Sequence, residues 1–130
     1  MTSEGTAVAA ERGTTDRELV VATALDYFEG HFEGDVERMD RALHANLVKR
    51  APRDESAAEL GITTKERMLE LTRAHVGANE PGHRRLDVEV LEIYKNIAAV
   101  IVRSAPYREY LHLVKTSDGW KIANALFCET

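Results

Sequence analysis

Three side chains with complementary proton chemistry lie close together near the end of the chain, in EYLHLVKTSDGWKIANALF (109–127): the phenol of Tyr110, the imidazole of His112 and the carboxamide of Asn124. An imidazole titrates near neutrality and serves as general base or acid, a phenol donates to a developing oxyanion, and an amide orients a substrate. Placing Thr116 and Trp120 at the flanks of a three-residue loop puts His112 opposite Asn124 and Val114 opposite Ile122. On that register Tyr110, His112, Val114, Trp120, Ile122, Asn124 and Leu126 share one face, and Leu111, Leu113, Lys115, Lys121, Ala123, Ala125 and Phe127 share the other. Both faces are largely apolar, so the pattern predicts that both are covered, one by helices and one by a second subunit. A few polar groups converging on an apolar wall are the mark of a small-molecule site, although the same groups inside a packed core would simply satisfy one another.

The other histidines offer less. His44 closes a predicted second helix, where it either overhangs a pocket mouth or acts as a cation favoured by the helix dipole. His75 shares a helical face with Met68 and Leu71, and is either packed or aimed inward. His31 and His83 read as exposed and take no role. His44, His75 and His112 match no helical ligand spacing, so no metal is called for. Cys128 is the one cysteine, which reads as an apolar filler at a strand end and excludes an intramolecular disulfide. No phosphate loop, dinucleotide fingerprint, nucleophile elbow or His-Glu-x-x-His motif occurs.

The elements that must position these groups follow from periodicity. Thr15 with Glu18 forms a capping box, and Val21, Leu25, Phe28 and Phe32 then recur at helical spacing. Gly34 stops this helix and Asp35 caps a second, carrying Val36, Met39 and Leu43 and ending near His44. Leu47–Arg50 reads as a short strand and 51–61 as a loop or partly helical excursion. Thr63 with Glu66 makes another capping box, opening a third helix closed by Gly77 and Pro81-Gly82. Beyond Arg85 the period falls to two, and 86–94, 97–104, 107–115 and 120–127 read as strands. Helices segregated from an antiparallel meander specify an α+β domain, three helices over a curved sheet that leaves a pocket.

The chain has 130 residues, 44% of them apolar and 30% charged, with a net charge of −5. That suits one soluble domain able to bury roughly two-thirds of its unfolded surface. The acidic balance excludes the class of proteins that grip phosphate backbones, so no nucleic acid is expected. No apolar run is long enough for a membrane helix, and residues 1–14 fail the requirements of a secretory signal; they read as a disordered tail before a single domain over 15–130, in the cytoplasm.

The corner DYFEGHFEGDVERMDRALHANLVKR (26–50) and the ending EYLHLVKTSDGWKIANALF together resemble the putative lumazine-binding family, within the nuclear-transport-factor-2-like or SnoaL-like superfamily. Residues 18–128 carry the likeness, above all Tyr27, Gly30, Gly34-Asp35, Leu43-His44 and the Tyr110–Lys115 strand. The resemblance implies a cone of helices on a strongly bent sheet, a deep apolar pocket, and a homodimer through the sheet's outer face. Relatives in the wider superfamily include ketosteroid isomerases, polyketide cyclases and scytalone dehydratases, which use pocket Asp, His and Tyr side chains without a cofactor. The isomerase pattern does not map, because the strand positions for its carboxylate base hold Ala98, Val100, Val102 and Val114. The expectation is therefore a cofactor-independent dehydratase, isomerase or cyclase acting on a small oxygenated ring or polyketide-like substrate, with His112 or His44 as base, Tyr110 as oxyanion donor and Asn124 orienting the substrate. Tyr27, Phe28, Met68, Leu71, His75, Val100 and Trp120 are the expected pocket walls. A non-catalytic carrier using the same pocket and a purely structural dimerisation module, its pocket filled by side chains, are the alternatives.

Overall fold

The computed structural model describes residues 14–79 and 85–130; the Pro81-Gly82 stop, His83 and most of the proposed tail lie outside them. Helix α1 (Asp16–Glu33) opens on the expected capping box: Thr15 Oγ1 accepts the Glu18 amide at 3.1 Å and Glu18 Oε1 accepts the Thr15 amide at 2.9 Å. Its buried stripe is Val20, Thr23, Ala24, Tyr27, Phe28 and Phe32. Gly34 ends it in the left-handed region at φ 70°, and Asp35 then caps α2 (Val36–Ala42) by accepting the Arg38 amide at 3.2 Å.

Strand β1 (Leu43–Pro52) starts directly after α2, so Leu43 and His44 belong to a strand and not to a helix end. The segment read as an excursion contains β2 (Leu60–Thr64), which pairs antiparallel with β1 from Val48↔Thr64 to Pro52↔Leu60. The next helix, α3 (Lys65–Arg73), is capped one residue later than predicted, with Thr64 accepting the Arg67 amide at 3.2 Å. It stops before His75, and a 3₁₀ turn (Val76–Asn79) follows. Strands β3 (Leu86–Tyr94), β4 (Ile97–Ser104), β5 (Tyr107–Thr116) and β6 (Gly119–Glu129) form the meander as expected.

The sheet has six strands in the order β2-β1-β6-β5-β4-β3, antiparallel except for the β1/β6 pair. It is curved and unclosed, and the helices lie on one face, giving the α+β cone predicted. The core sits between them, with Val100, Leu111, Leu113, Trp120 and Ile122 of the sheet against Val20, Ala24, Phe28 and Met39. Among the described residues no helix is long and apolar enough to cross a membrane.

One irregularity changes the facing of the last strand. His112 pairs with Asn124 as predicted, but Leu113 then pairs with Ile122, leaving Ala123 as the extra residue of a bulge, and Val114 meets Lys121 instead of Ile122. The hairpin closes between Thr116 and Gly119 with a two-residue turn. Trp120 and Ile122 thus join Leu111 and Leu113 under the helices, while Tyr110, His112, Asn124 and Leu126 face away. Trp120 is only 3% exposed and Tyr110 is 46% exposed, so the predicted common face is in fact two faces. The indole Nε1 donates to Asp16 Oδ1 at 3.0 Å, tying the start of α1 to the last hairpin.

Candidate functional site

On the helix-covered face, strand alternation sets Glu109 among apolar neighbours. It pairs with Val102 on β4 and Phe127 on β6, and its inward parity is that of Leu111 and Leu113. Lys49 occupies an inward position of β1 opposite Ala125, and Tyr27 lies on the buried stripe of α1. These three meet. Tyr27 Oη donates to Glu109 Oε2 at 2.6 Å, Lys49 Nζ donates to Tyr27 Oη at 2.5 Å, and Nζ lies 3.7 Å from Glu109 Oε2. The ammonium also sits 4.5 Å from the Phe127 ring centroid and 5.1 Å from that of Tyr27.

Glu109 is 1% exposed, and a carboxylate so deeply buried is tolerated only when hydrogen-bonded and charge-paired. Burial, followed by the Glu109 charge and the hydrogen bond to it, pushes the Tyr27 phenol well above its ordinary value near 10. At neutral pH Tyr27 is therefore a donor. Beside the three groups is a cavity of about 40 Å³ lined by Tyr27, Phe28, His31, Lys49, Tyr107, Glu109 and Phe127. That space admits a few waters or the reacting end of a ligand, not a whole ring.

The residues expected to do chemistry are elsewhere. His112 and Asn124 are neighbours, with Asn124 Nδ2 3.5 Å from His112 Nδ1, but both are exposed on the outer face, where they line a groove of about 430 Å³ with Tyr94, Ile97, Ala99 and Val114. Tyr110 lies on that same face beside Leu126 and Ile101. His44 is half-buried on β1, and its Nδ1 accepts the Asn46 amide at 3.0 Å, a local bond that does not bring it to Tyr110 or His112. His75 is exposed with φ 58° and packs on the corner: a Cβ at Gly34 would come within 2.1 Å of His75 Nδ1. Of the expected walls, Tyr27 and Phe28 line the inner cavity, whereas Met68, Val100 and Trp120 are buried in the core and Leu71 packs half-buried against it. Cys128 is exposed near the end of β6.

Glu109, Lys49, Tyr107 and His31 are the residues sequence reasoning passed over. The signal for Glu109 was its parity, an acid in register with Leu111 and Leu113. His31 is four residues after Tyr27 and is half-buried, not exposed as expected. Among the described residues no group of three or more His, Cys, Asp or Glu is placed to hold a metal ion.

The model of the family described as "Putative lumazine-binding" matches residues 15–128. The chain belongs to that family. No curated protein matches it. An NTF-2-like protein of unknown function from Silicibacter pomeroyi DSS-3 superposes on this family member with TM-score 0.70 at 13% identity, covering 90% of this chain and 100% of the other. A ketosteroid isomerase-like protein from Erwinia carotovora atroseptica gives TM-score 0.57 at 16% identity, covering 85% and 93%. The CaMKII hub of S. rosetta gives 0.55 at 14%, covering 87% and 95%. At these identities the likeness is one of fold.

Proposed function

We propose that this lumazine-binding family member holds a small carbonyl compound at the inner cavity and isomerises it by acid–base chemistry that needs no cofactor. The observation that carries the proposal is the buried Glu109 with Tyr27 at 2.6 Å and Lys49 at 3.7 Å beside an aromatic-walled cavity. A carboxylate and an ammonium make the site formally neutral, which suits a neutral substrate. On a β,γ-unsaturated ketone Glu109 takes the proton from the carbon between the carbonyl and the C=C bond, the C–H electron pair becomes a new C=C bond as the carbonyl π pair moves onto oxygen, and Lys49 donates to the dienolate oxyanion that forms. Returning the proton at the γ-carbon, with the oxyanion pair moving back to restore C=O, completes an isomerisation to the conjugated ketone. Interaction with Lys49 strengthens as the negative charge develops, so it favours the transition state over the bound ketone. His112, Tyr110 and His44 lie off this cavity and take no part in the step. A ring larger than the cavity requires its walls to move, and His31 and Tyr107, in the last turn of α1 and at the first position of β5, are the walls nearest element ends. The shared fold of a ketosteroid isomerase-like protein supports the reading.

The test is hydrogen exchange without a known substrate: small cyclic ketones such as cyclopentanone and cyclohexanone are incubated in D2O, and loss of their α-proton signals is followed. Wild type is expected to exceed Glu109→Gln by about 10²-fold or more, the range of a positioned base. Equal rates in the two proteins would remove the enzyme reading. The second reading, a carrier that holds the same ligand without turnover, is favoured by one observation: Tyr27, Lys49 and Glu109 already satisfy one another. A ligand retained through purification and seen by native mass spectrometry, with no exchange, would select it.

We further propose that a second copy covers the outer sheet face, where Tyr94, Ile97, Tyr110 and Leu126 stand exposed on neighbouring strands. The likeness to a hub domain supports that reading.

A further inference from the structure

We infer that His31 carries protons between the buried carboxyl of Glu109 and solvent, and that Gly77 positions its ring for this; the inference rests on the acid–base reading of the inner site. A carboxylate 1% exposed and capped by a phenol has no direct exchange with bulk water, yet a base that has taken a proton must be able to release it. His31 and Tyr27 are four residues apart on α1 and so stand on the same side of the helix. Both line the cavity of about 40 Å³ that also touches Glu109 and Lys49. The imidazole and the carboxyl therefore border one small space, wide enough for a few waters to lie between them. Imidazole is the side chain whose ordinary titration range suits release of such a proton near neutral pH.

The ring is held on several sides. Phe32 lies 5.1 Å away and Tyr107 6.5 Å away, centroid to centroid. On another side the backbone of the 3₁₀ turn backs it: a Cβ on Gly77 would sit 2.7 Å from His31 Cδ2 and from Nε2, and 2.5 Å from the His31 carbonyl oxygen. Only glycine permits this approach, and Nδ1, on the far edge of the ring, is buried. The titratable groups sharing the cavity with His31 are Tyr27 on its own helix, Lys49 on β1, and Tyr107 and Glu109 on β5. From the 3₁₀ turn, Gly77 lies against the ring.

The decisive measurement follows the imidazole Cε1 proton of His31 by NMR across pH in wild type, Glu109→Gln and Gly77→Ala. Loss of a negative charge bordering the same space is expected to move the midpoint of the His31 Cε1 signal downward in Glu109→Gln. In Gly77→Ala the ring is displaced, and adding Glu109→Gln to it should move the midpoint little. In the ketone exchange assay His31→Ala should slow exchange about tenfold or more, and added imidazole should restore part of the loss, which a merely structural role would not allow. Equal His31 midpoints in wild type and Glu109→Gln overturn the inference whatever the exchange rates. Unequal midpoints with no ketone exchange by wild type keep the proton contact and overturn the isomerase reading instead.

Discussion

Glu109 concentrates the residue-scale energetics, because every group around it is there at the cost of desolvation. Lys49→Met leaves a buried carboxylate with only the Tyr27 phenol, and a charge stranded in this way costs about 3 kcal/mol or more. The Lys49→Met/Glu109→Gln double variant removes both charges together and is expected to be less destabilised than the sum of the single changes, as read from urea unfolding midpoints. Additive losses would show that the pair is not coupled. Tyr27 gives an independent readout. Its phenol pKa is raised in the folded state by burial and then by Glu109, so the folded protein holds that proton more tightly than the unfolded chain does. The stabilisation is therefore complete below the ordinary phenol value near 10 and is lost as pH rises through the folded value. Ultraviolet titration should show one of the four tyrosines ionising after the others, and Tyr27→Phe should remove that late step. Loss of an earlier-titrating tyrosine instead would contradict the buried phenol.

Helices and strands bring these residues together through corners that glycine and charge define. Asp26 on α1 accepts from Arg38 Nε at 2.9 Å, Arg41 Nε at 2.9 Å and Arg41 Nη2 at 3.0 Å on α2, clamping the two helices across the Gly34-Asp35 turn. Burial alone would raise the Asp26 pKa, but hydrogen bonds from Arg41 and Arg38 outweigh it and the value is lowered. Its contribution is present above the unfolded value near 4 and is lost as pH falls through the folded one. Asp26→Asn should thus cost about 1–3 kcal/mol at pH 7, with the gap to wild type closing below about pH 4 in pH-dependent chemical denaturation. A gap that stays constant with pH would assign the loss to packing. Much of this layer is legible in the sequence: capping residues announce α1 and α2 because their side chains must satisfy backbone amides, and period-two runs announce the meander. The bulge at Ala123 is not legible, because one extra residue fits either register locally and only packing of Trp120 and Ile122 under the helices selects between them. That single residue sets Trp120 and Ile122 on the opposite face from His112 and Asn124, with which the alternation had grouped them. His112 and Asn124 were rightly paired, but the pair lies on the side of the sheet the helices leave uncovered.

At the scale of the whole molecule the sheet is a partition with different chemistry on its two sides. The helix side is filled by core residues down to a cavity of about 40 Å³ at Glu109, while the other side keeps Tyr94 59% exposed and a groove of about 430 Å³ containing His112 and Asn124. An apolar surface shared by adjacent strands is costly to leave in water and is characteristic of an association surface. If a second copy covers it, as proposed above, assembly and the inner site are separable by mutation, because they lie on opposite faces of the same strands. Leu126→Asp changes an outward side chain beside Tyr110 and sits one residue before the inward Phe127. Sedimentation equilibrium is expected to show self-association weakened by about 30-fold or more for this variant, the effect of losing an interface anchor worth about 2 kcal/mol. Glu109→Gln, on the inward face, should leave the association constant unchanged. A wild-type protein that stays monomeric at high micromolar concentration would rule out the second copy as the occupant of this face. Dissociation by Glu109→Gln as well would mean that the sheet couples its two sides, and that the cavity and the interface respond as one unit.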